Sequence, residues 1–199
     1  MSVIALALLS QRCKGVFFSR IHGWDVFFAP SKYDYLPYRS LIHNNLNSIY
    51  SVSKEGVNYC VNHWKINNSV KLKLSRLGVN NGEFKFHINN KLTIVSCSNM
   101  ISIKRIDLLI SSLSLLKINL EWIHFGDGNE YEKLLSLAKN DLPPNIDFKF
   151  KGRVKNSKII EYYKCKTPSL FINLSSTEGI PVSIMEAMSF GIPTIATSQ

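Results

Sequence analysis

The sequence predicts an α/β protein with parallel sheets. From Leu92 onward, short apolar runs typical of strands alternate with amphipathic runs typical of helices, and the connections are short. Apolar residues make up 45% of the chain and charged residues 19%, which is ordinary for a globular core. This alternation predicts a sheet covered by helices on both faces, with its ligand site at the carboxyl ends of the strands.

The region after Leu92 shows the alternation most clearly. We expect strands at residues 92–96, 120–125, 146–150, 170–174 and 194–197. We expect helices at 105–116, 130–139, 156–163 and 182–189. The first of these helices carries Ile106, Leu109, Ile110 and Leu113 on one face. Asn156 or Ser157 is the expected cap of the third helix, and Gly191 the expected end of the fourth.

The region before Leu92 is less regular. It predicts strands at 15–19, 49–53 and 70–74, and helices at 38–47 and 54–64. The stretch 78–91 is rich in Asn and Gly and predicts an interdomain connection. The apolar start, 1–10, lacks a basic leader and is shorter than the ~20 residues of a membrane span, so we expect a buried helix.

The charge of the chain is strongly basic, with a net charge of +10. Such a balance suits nucleic acid, an anionic membrane face or a phosphorylated ligand. No block of consecutive Lys/Arg and no DNA- or RNA-binding motif is present, so nucleic acid is not expected as a partner. The sequence favours a membrane-facing or phosphate-binding cleft.

The four cysteines, Cys13, Cys60, Cys97 and Cys165, are widely spaced and form no C-x-x-C pair. Neither a zinc site nor a disulfide framework is indicated. They predict reduced, cytosolic, mostly buried thiols. No D-x-D pattern near a strand end suggests a metal site, so we expect no metal.

Two glutamates eight positions apart, Glu178 and Glu186, flank the point where a loop becomes a helix. The first turn of a helix has free backbone N–H groups and a positive dipole end, which suit phosphate. Carboxylates accept hydrogen bonds from sugar hydroxyls. The arrangement suits a ligand with a diphosphate in the middle and a sugar on each side.

This run, continued as Glu-Ala-Met-Ser-Phe-Gly-Ile-Pro-Thr-Ile-Ala-Thr from Glu186 to Thr197, resembles the Glu-x7-Glu motif of retaining glycosyltransferases of family 4. The resemblance implies the GT-B fold, which consists of two Rossmann-like domains. Residues 1–85 would be the end of the N-terminal, acceptor-side domain. Residues 86–199 would be most of the C-terminal, nucleotide-sugar-binding domain, truncated at its end. On this resemblance we expect a fragment that lacks both ends of the family's architecture.

The resemblance also implies roles for the residues around the two glutamates. Glu178 would contact the donor sugar and stabilise developing positive charge, and Glu186 would bind the ribose hydroxyls. The turn between them would offer backbone N–H groups to the donor; it comprises Gly179, Ile180, Pro181, Val182 and Ser183. Many family members have a glycine where Pro181 stands.

Other site residues follow from the same resemblance. Lys104 matches a lysine that binds the donor diphosphate, and Asn99 stands where an arginine is common. Arg105 would assist Lys104, and His22 would face the cleft from the N-terminal domain. Two loops complete the set: Gly126-Asp127-Gly128, expected to form a tight turn, and Gly152-Arg153-Val154, where the family's backbone often reads the base.

The function implied is a hexosyltransferase. It would move a sugar from a nucleotide-diphosphate donor to a saccharide or polyprenyl-linked acceptor in cell-surface polysaccharide synthesis, without a cofactor or metal. We expect a cytoplasmic protein at the inner face of the plasma membrane, with an anionic membrane surface as a further partner. Two alternatives stay open: a non-catalytic nucleotide- or sugar-binding fragment, and a GT-B nucleotide-sugar epimerase. For the hexosyltransferase too, we expect the truncated chain to be inactive by itself.

Overall fold

A computed structural model describes residues 3–26, 38–64, 71–82, 91–178 and 180–198. The chain divides into two compact units, Met1–Leu77 and Gly78–Gln199. The predicted domain boundary at 85/86 lies outside the described residues and stays a prediction. None of the helices in the described ranges is long and apolar enough to cross a membrane.

The first unit contains a three-stranded parallel sheet. Its strands, in spatial order, are β1 (Phe18–Ile21), β2 (Ser48–Ser51) and β3 (Leu72–Leu74). Its helices are α1 (Val3–Ser10), α2 (Gly23–Val26), α3 (Arg39–Asn45) and α4 (Lys54–Trp64). The three strands and the helices share a single apolar cluster. Each strand contributes one buried side chain to it: Ile21 from β1, Ile49 from β2 and Leu72 from β3.

The second unit contains a five-stranded sheet with parallel pairing throughout, in the order β6-β5-β4-β7-β8. Its strands are β4 (Leu92–Cys97), β5 (Leu120–Phe125), β6 (Ile146–Phe150), β7 (Leu170–Asn173) and β8 (Thr194–Ala196). Its helices are α5 (Ile106–Ser114), α6 (Tyr131–Asp141), α7 (Asn156–Lys166) and α8 (Val182–Ser189). The α/β fold class predicted from the sequence is confirmed.

Both faces of the five-stranded sheet are buried, and neighbouring residues of a strand pack into different layers. In β4, Ile94 packs with α5 and α6, whereas Val95 packs with α7 and α8. The same division separates Trp122 from Ile123 in β5. Successive side chains of a strand point to opposite faces, so an unbroken apolar run is the expected sequence of such a strand.

Several predicted boundaries are wrong for identifiable reasons. The helix predicted from Arg105 begins at Ile106, because Arg105 has a left-handed backbone with φ of 52°. Asn156 and Ser157 do not cap α7. The N-cap is Lys155, which makes no side-chain capping bond, and the Asn156 amide instead donates to Glu186.

The first unit departs from the sequence predictions in similar ways. The strand predicted at 15–19 is β1, which begins later, at Phe18. The helix predicted at 38–47 ends at Asn45, because Asn47 hydrogen-bonds Phe17 through both its backbone N–H and its side-chain oxygen. The helix expected at the start is present, but Leu8 and Leu9 are exposed, so it is only partly buried.

The thiols are free, as predicted, but the expectation that most are buried is wrong. Cys60 is buried and Cys97 is half-buried, whereas Cys13 and Cys165 are exposed. Burial raises the pKa of the Cys60 thiol to about 12. Cys13 and Cys165 lie in polar stretches of sequence. These stretches have no apolar periodicity from which the burial of a side chain could be predicted.

The glycines after β5 allow two loops to pack backbone against backbone. A Cβ atom on Gly126 would lie 1.8 Å from the Ser98 carbonyl oxygen, and one on Gly128 would lie 2.3 Å from that of Met100. The Gly126 N–H donates to Gly152 O at 3.0 Å, and the Met100 N–H donates to Asp127 O at 3.0 Å. These contacts join the loops that follow β4, β5 and β6.

We therefore expect Gly126→Ala to destabilise the protein by more than about 1 kcal/mol, because the added methyl group collides with a backbone oxygen that has little room to move. The matched control is Gly78→Ala, since a Cβ atom there meets nothing within 4 Å. Urea midpoints of both variants measure the effect. Equal midpoints would contradict the close packing described.

Candidate functional site

A cavity of about 630 Å³ lies at the carboxyl ends of β4, β5, β6 and β7. Its walls are the loops that follow these strands and the first turn of α8. Of the predicted site residues, it brings together Asn99, Lys104, Glu178 and the turn 180–183. The position agrees with the rule that parallel sheets bind ligands at this edge.

The Glu178 carboxylate is held by a cluster of donors. Oε1 accepts hydrogen bonds from Lys104 Nζ at 2.6 Å, Ser175 Oγ at 2.7 Å and Asn173 Nδ2 at 3.1 Å. Ser175 is fully buried, and Asn173 nearly so. The Ser175 N–H in turn donates to Asn173 Oδ1 at 2.9 Å, which fixes the amide that serves Glu178.

This environment determines the charge of Glu178. Burial alone raises the pKa, but hydrogen bonds from Lys104, Ser175 and Asn173 outweigh it, and the pKa lies below its ordinary value. The carboxylate is therefore ionised at neutral pH and is a weak base. Such a group suits hydrogen-bond acceptance and electrostatic stabilisation better than proton abstraction.

Lys104 reaches Glu178 because two loops are tied together. It ends a short 3₁₀ turn, Ser102–Lys104, after β4. In this turn the Ile103 carbonyl oxygen accepts hydrogen bonds from both the N–H and the hydroxyl of Ser176, at 2.8 and 3.3 Å. The Lys104 and Glu178 side chains are 16% and 18% exposed, so solvent screens their ion pair only partly.

The start of α8 forms another wall of the cavity. Pro181 is the N-cap and makes no side-chain capping bond. The backbone N–H groups of Val182 and Ser183, in the first turn, have no acceptor within the helix. They give this part of the cavity a positive potential that suits an anion.

Glu186 does not line the main cavity. It lies one turn further along α8 and lines a neighbouring cavity of about 330 Å³, where Asn156 Nδ2 donates to its Oε1 at 2.9 Å. Val182 borders both cavities, so they are separated there by a single side chain. Glu178 thus precedes α8 and Glu186 lies within it, so the first turn of the helix lies between them in the sequence.

Besides Glu186, two of the described site residues predicted from the sequence do not line this cavity. Arg105 does not line it. His22 belongs to the first unit, where it is exposed at the end of β1. Gly179 lies outside the described residues. The roles predicted for these three residues stay predictions.

A buried polar chain behind the cavity was not predicted from the sequence. Trp122 Nε1 donates to Ser96 Oγ at 2.9 Å, and Ser96 Oγ lies 2.8 Å from His124 Nδ1. His124 Nε2 lies 3.1 Å from the Ser98 carbonyl oxygen and therefore donates to it. This series of hydrogen bonds holds the loop that carries Ser98 and Asn99 in place. The sequence signal for these bonds is weak: a Ser and a His within two largely apolar strands.

Two ionisable side chains of this region, His124 and Cys97, stay neutral at neutral pH because of burial. Burial lowers the pKa of His124 to about 4 and outweighs its hydrogen bond to Ser98, which acts in the opposite direction. In the cavity wall, burial and the charge of Glu186 raise the pKa of the Cys97 thiol to about 11, so it is not a nucleophile at neutral pH.

Among the described residues, no three His, Cys, Asp or Glu side chains are grouped to hold a metal ion. The expectation of a metal-free reaction stays a prediction.

Comparison with known proteins agrees with this geometry. Residues 80–199 match the family model described as glycosyl transferases group 1. That is more than half of the chain, and the protein belongs to this family. An uncharacterized glycosyltransferase of Haemophilus influenzae is 31% identical over 115 residues, which cover 55% of this chain and 30% of that protein. The chain thus matches less than a third of the length of this relative.

Solved structures share the fold. HepE of Anabaena, in complex with UDP and glucose, has a TM-score of 0.74 at 16% identity, covering 98% of this chain and 56% of its own. S. aureus TarM, in a complex that includes UDP, has a TM-score of 0.68 at 20% identity, covering 90% and 36%. At such identities the likeness shows the fold alone, which is that of GT-B glycosyltransferase structures.

His124 should make the protein sensitive to acid. The unfolded chain takes up the proton near pH 6.5 and the folded protein only near pH 4, so the stability from neutral His124 is present above about pH 6.5 and falls as pH drops toward 4. The loss should approach about 3 kcal/mol.

Urea unfolding at pH 7, 6, 5 and 4 tests this, with His124→Gln as the variant. Gln keeps an N–H donor but cannot take up this proton, so its stability should fall less steeply with acid. His63→Gln, at an exposed histidine, is the control. Parallel curves for wild type and His124→Gln would contradict the expectation.

Proposed function

We propose that the protein is a retaining glycosyltransferase of family 4, and that the second unit binds its nucleotide-sugar donor. The observation that carries the proposal is the Glu178 carboxylate, ion-paired with Lys104 at 2.6 Å beside the open first turn of α8. A single cavity thus offers an anion-binding helix start, a cation and a fixed carboxylate. A sugar diphosphate needs these three elements together.

The donor diphosphate binds at the N–H groups of Val182 and Ser183, with the Lys104 ammonium beside it. The UDP in the similar HepE and TarM complexes supports a nucleoside diphosphate as the class of ligand. Asn99 lines the same cavity and donates a neutral hydrogen bond. Together these groups stabilise negative charge on the leaving diphosphate.

The transferred hexose lies against Glu178. As the bond between its anomeric carbon and the diphosphate oxygen breaks, positive charge develops on the sugar and the ionised carboxylate stabilises it. The acceptor hydroxyl attacks from the same face, and its proton passes to the leaving phosphate oxygen. One carbon–oxygen bond breaks and one forms on the same face, so the anomeric configuration is retained.

The ribose lies in the neighbouring cavity, on the other side of Val182, and its hydroxyls donate hydrogen bonds to Glu186. Oε1 of Glu186 already accepts a hydrogen bond from Asn156, and the ribose hydroxyls join or replace that donor. The acceptor is a saccharide or a polyprenyl-linked sugar.

The charge of the chain, together with the family resemblance, supports a membrane setting for the reaction. A net charge of +10 favours an anionic membrane surface, and lipid-linked acceptors are presented there. We therefore place the enzyme in the cytoplasm at the inner face of the plasma membrane, in cell-surface polysaccharide synthesis. Lys104 and the start of α8 take the place of a metal ion at the leaving diphosphate.

The proposal predicts that Glu178→Gln lowers kcat for sugar transfer by about 100-fold in the whole protein, because the charge facing the anomeric carbon is lost. UDP should bind at least as tightly as before, since Lys104 no longer shares its charge with a carboxylate. Transfer from radiolabelled nucleotide sugars and calorimetry with UDP measure the two effects.

Glu132→Gln is the matched control, because Glu132 is an exposed acid of α6 that does not line the cavity. Normal transfer by Glu178→Gln would disprove the role of Glu178. A wild-type protein that binds UDP, GDP or ADP but transfers no sugar would instead be a non-catalytic binding protein.

A further inference from the structure

Among the described residues that line it, the cavity contains as many acidic as basic side chains. Its charged residues are Lys104 and Arg153, which are positive, and Asp127 and Glu178, which are negative. A nucleoside diphosphate brings two or more negative charges into this site. Side-chain cations that are not already neutralised therefore decide how well the charge is compensated.

Lys104 is not such a cation. Its ammonium lies 2.6 Å from the Glu178 carboxylate, and both side chains are less than one-fifth exposed. Much of its charge is therefore compensated before any ligand arrives. A phosphate oxygen near Lys104 competes with Glu178 for the same N–H donors.

Arg153 differs from Lys104 both in its exposure and in having no acidic partner among the described residues. It lies on the loop after β6, next to Gly152, whose φ of +63° favours glycine. The side chain is exposed and lines the cavity. Within the part of the chain that the structure describes, its guanidinium has no ion pair and no hydrogen bond.

The surroundings of Arg153 strengthen its potential. Lys151 and Lys155, two positions away on either side, are exposed and likewise have no ion pair among the described residues. The loop is therefore a local source of positive potential at the mouth of the cavity, which attracts anionic ligands. Of the three cations, only Arg153 lines the cavity.

We propose that Arg153 binds the diphosphate of the nucleotide donor and supplies the cation that Lys104 cannot fully provide. The planar guanidinium donates two parallel N–H bonds to phosphate oxygens, a geometry that lysine lacks. The inference rests on the proposed function, because it requires a nucleoside diphosphate in this cavity. It assigns to the loop after β6 a phosphate contact, whereas the resemblance implied contact with the base.

The test compares binding of UDP and uridine by the whole protein and its Arg153→Gln variant. UDP affinity, measured by calorimetry, should fall about tenfold or more, since a charge-assisted bond is lost. Uridine affinity, measured by NMR at millimolar concentration, should stay unchanged, because uridine has no phosphate. Arg153→Lys should recover part of the UDP affinity.

Lys139→Gln is the matched control, because it removes one positive charge from an exposed lysine of α6, away from the loop after β6 and outside the cavity, and it should leave UDP affinity within about twofold. Equal UDP affinity of wild type and Arg153→Gln would overturn the inference. An equal loss of uridine and UDP affinity would also overturn it, by assigning Arg153 to the base. A wild type that binds neither UDP, GDP nor ADP would disprove the proposed function itself.

Discussion

Hydrogen bonding between parallel strands is the constraint on which the site depends. Because β4 to β8 all run in one direction, their carboxyl ends meet at one edge of the sheet. Residues far apart in sequence, such as Lys104 and Glu178, therefore become neighbours. The two faces of the sheet are filled by separate apolar clusters, so this edge is where polar groups collect.

Buried, neutral hydrogen-bond donors fix the positions of the groups at that edge of the sheet. Asn173 and Ser175 hold the Glu178 carboxylate, and His124 holds the Ser98 carbonyl oxygen from behind. Buried polar groups are stable only when they are hydrogen-bonded, so these contacts order the cavity wall before a ligand binds. The glycines of the neighbouring loops permit the close backbone contacts that complete this wall.

The sequence predicted most of the second unit because its signals are local. The strands 120–125 and 146–150 and the helix 182–189 have the predicted bounds, since apolar runs and Gly or Pro residues mark their ends. The predictions failed where a contact with a residue far away in the sequence determines the local structure. Asn156 has the residue type of a cap, but its amide donates to Glu186, thirty positions away in the chain.

The same difference between local sequence signals and contacts between distant residues applies to the candidate site. Glu178, Lys104 and the turn 180–183 were predicted and do line one cavity. The Trp122, Ser96 and His124 chain was not predicted, because a polar residue within a strand has no recognisable partner until the strands pair. The place of Glu186 in a second cavity depends on the packing of α7 beside α8.

The sequence by itself determined the α/β class, the order of elements in the second unit and the two glutamates that flank the start of α8. These features depend on periodicity and on spacing within one stretch of chain. Only the tertiary structure decided that Lys104 is ion-paired with Glu178 and that Arg153 lines the cavity without such a partner. Which charges compensate one another depends on distances between loops, and the folding of the sheet sets those distances.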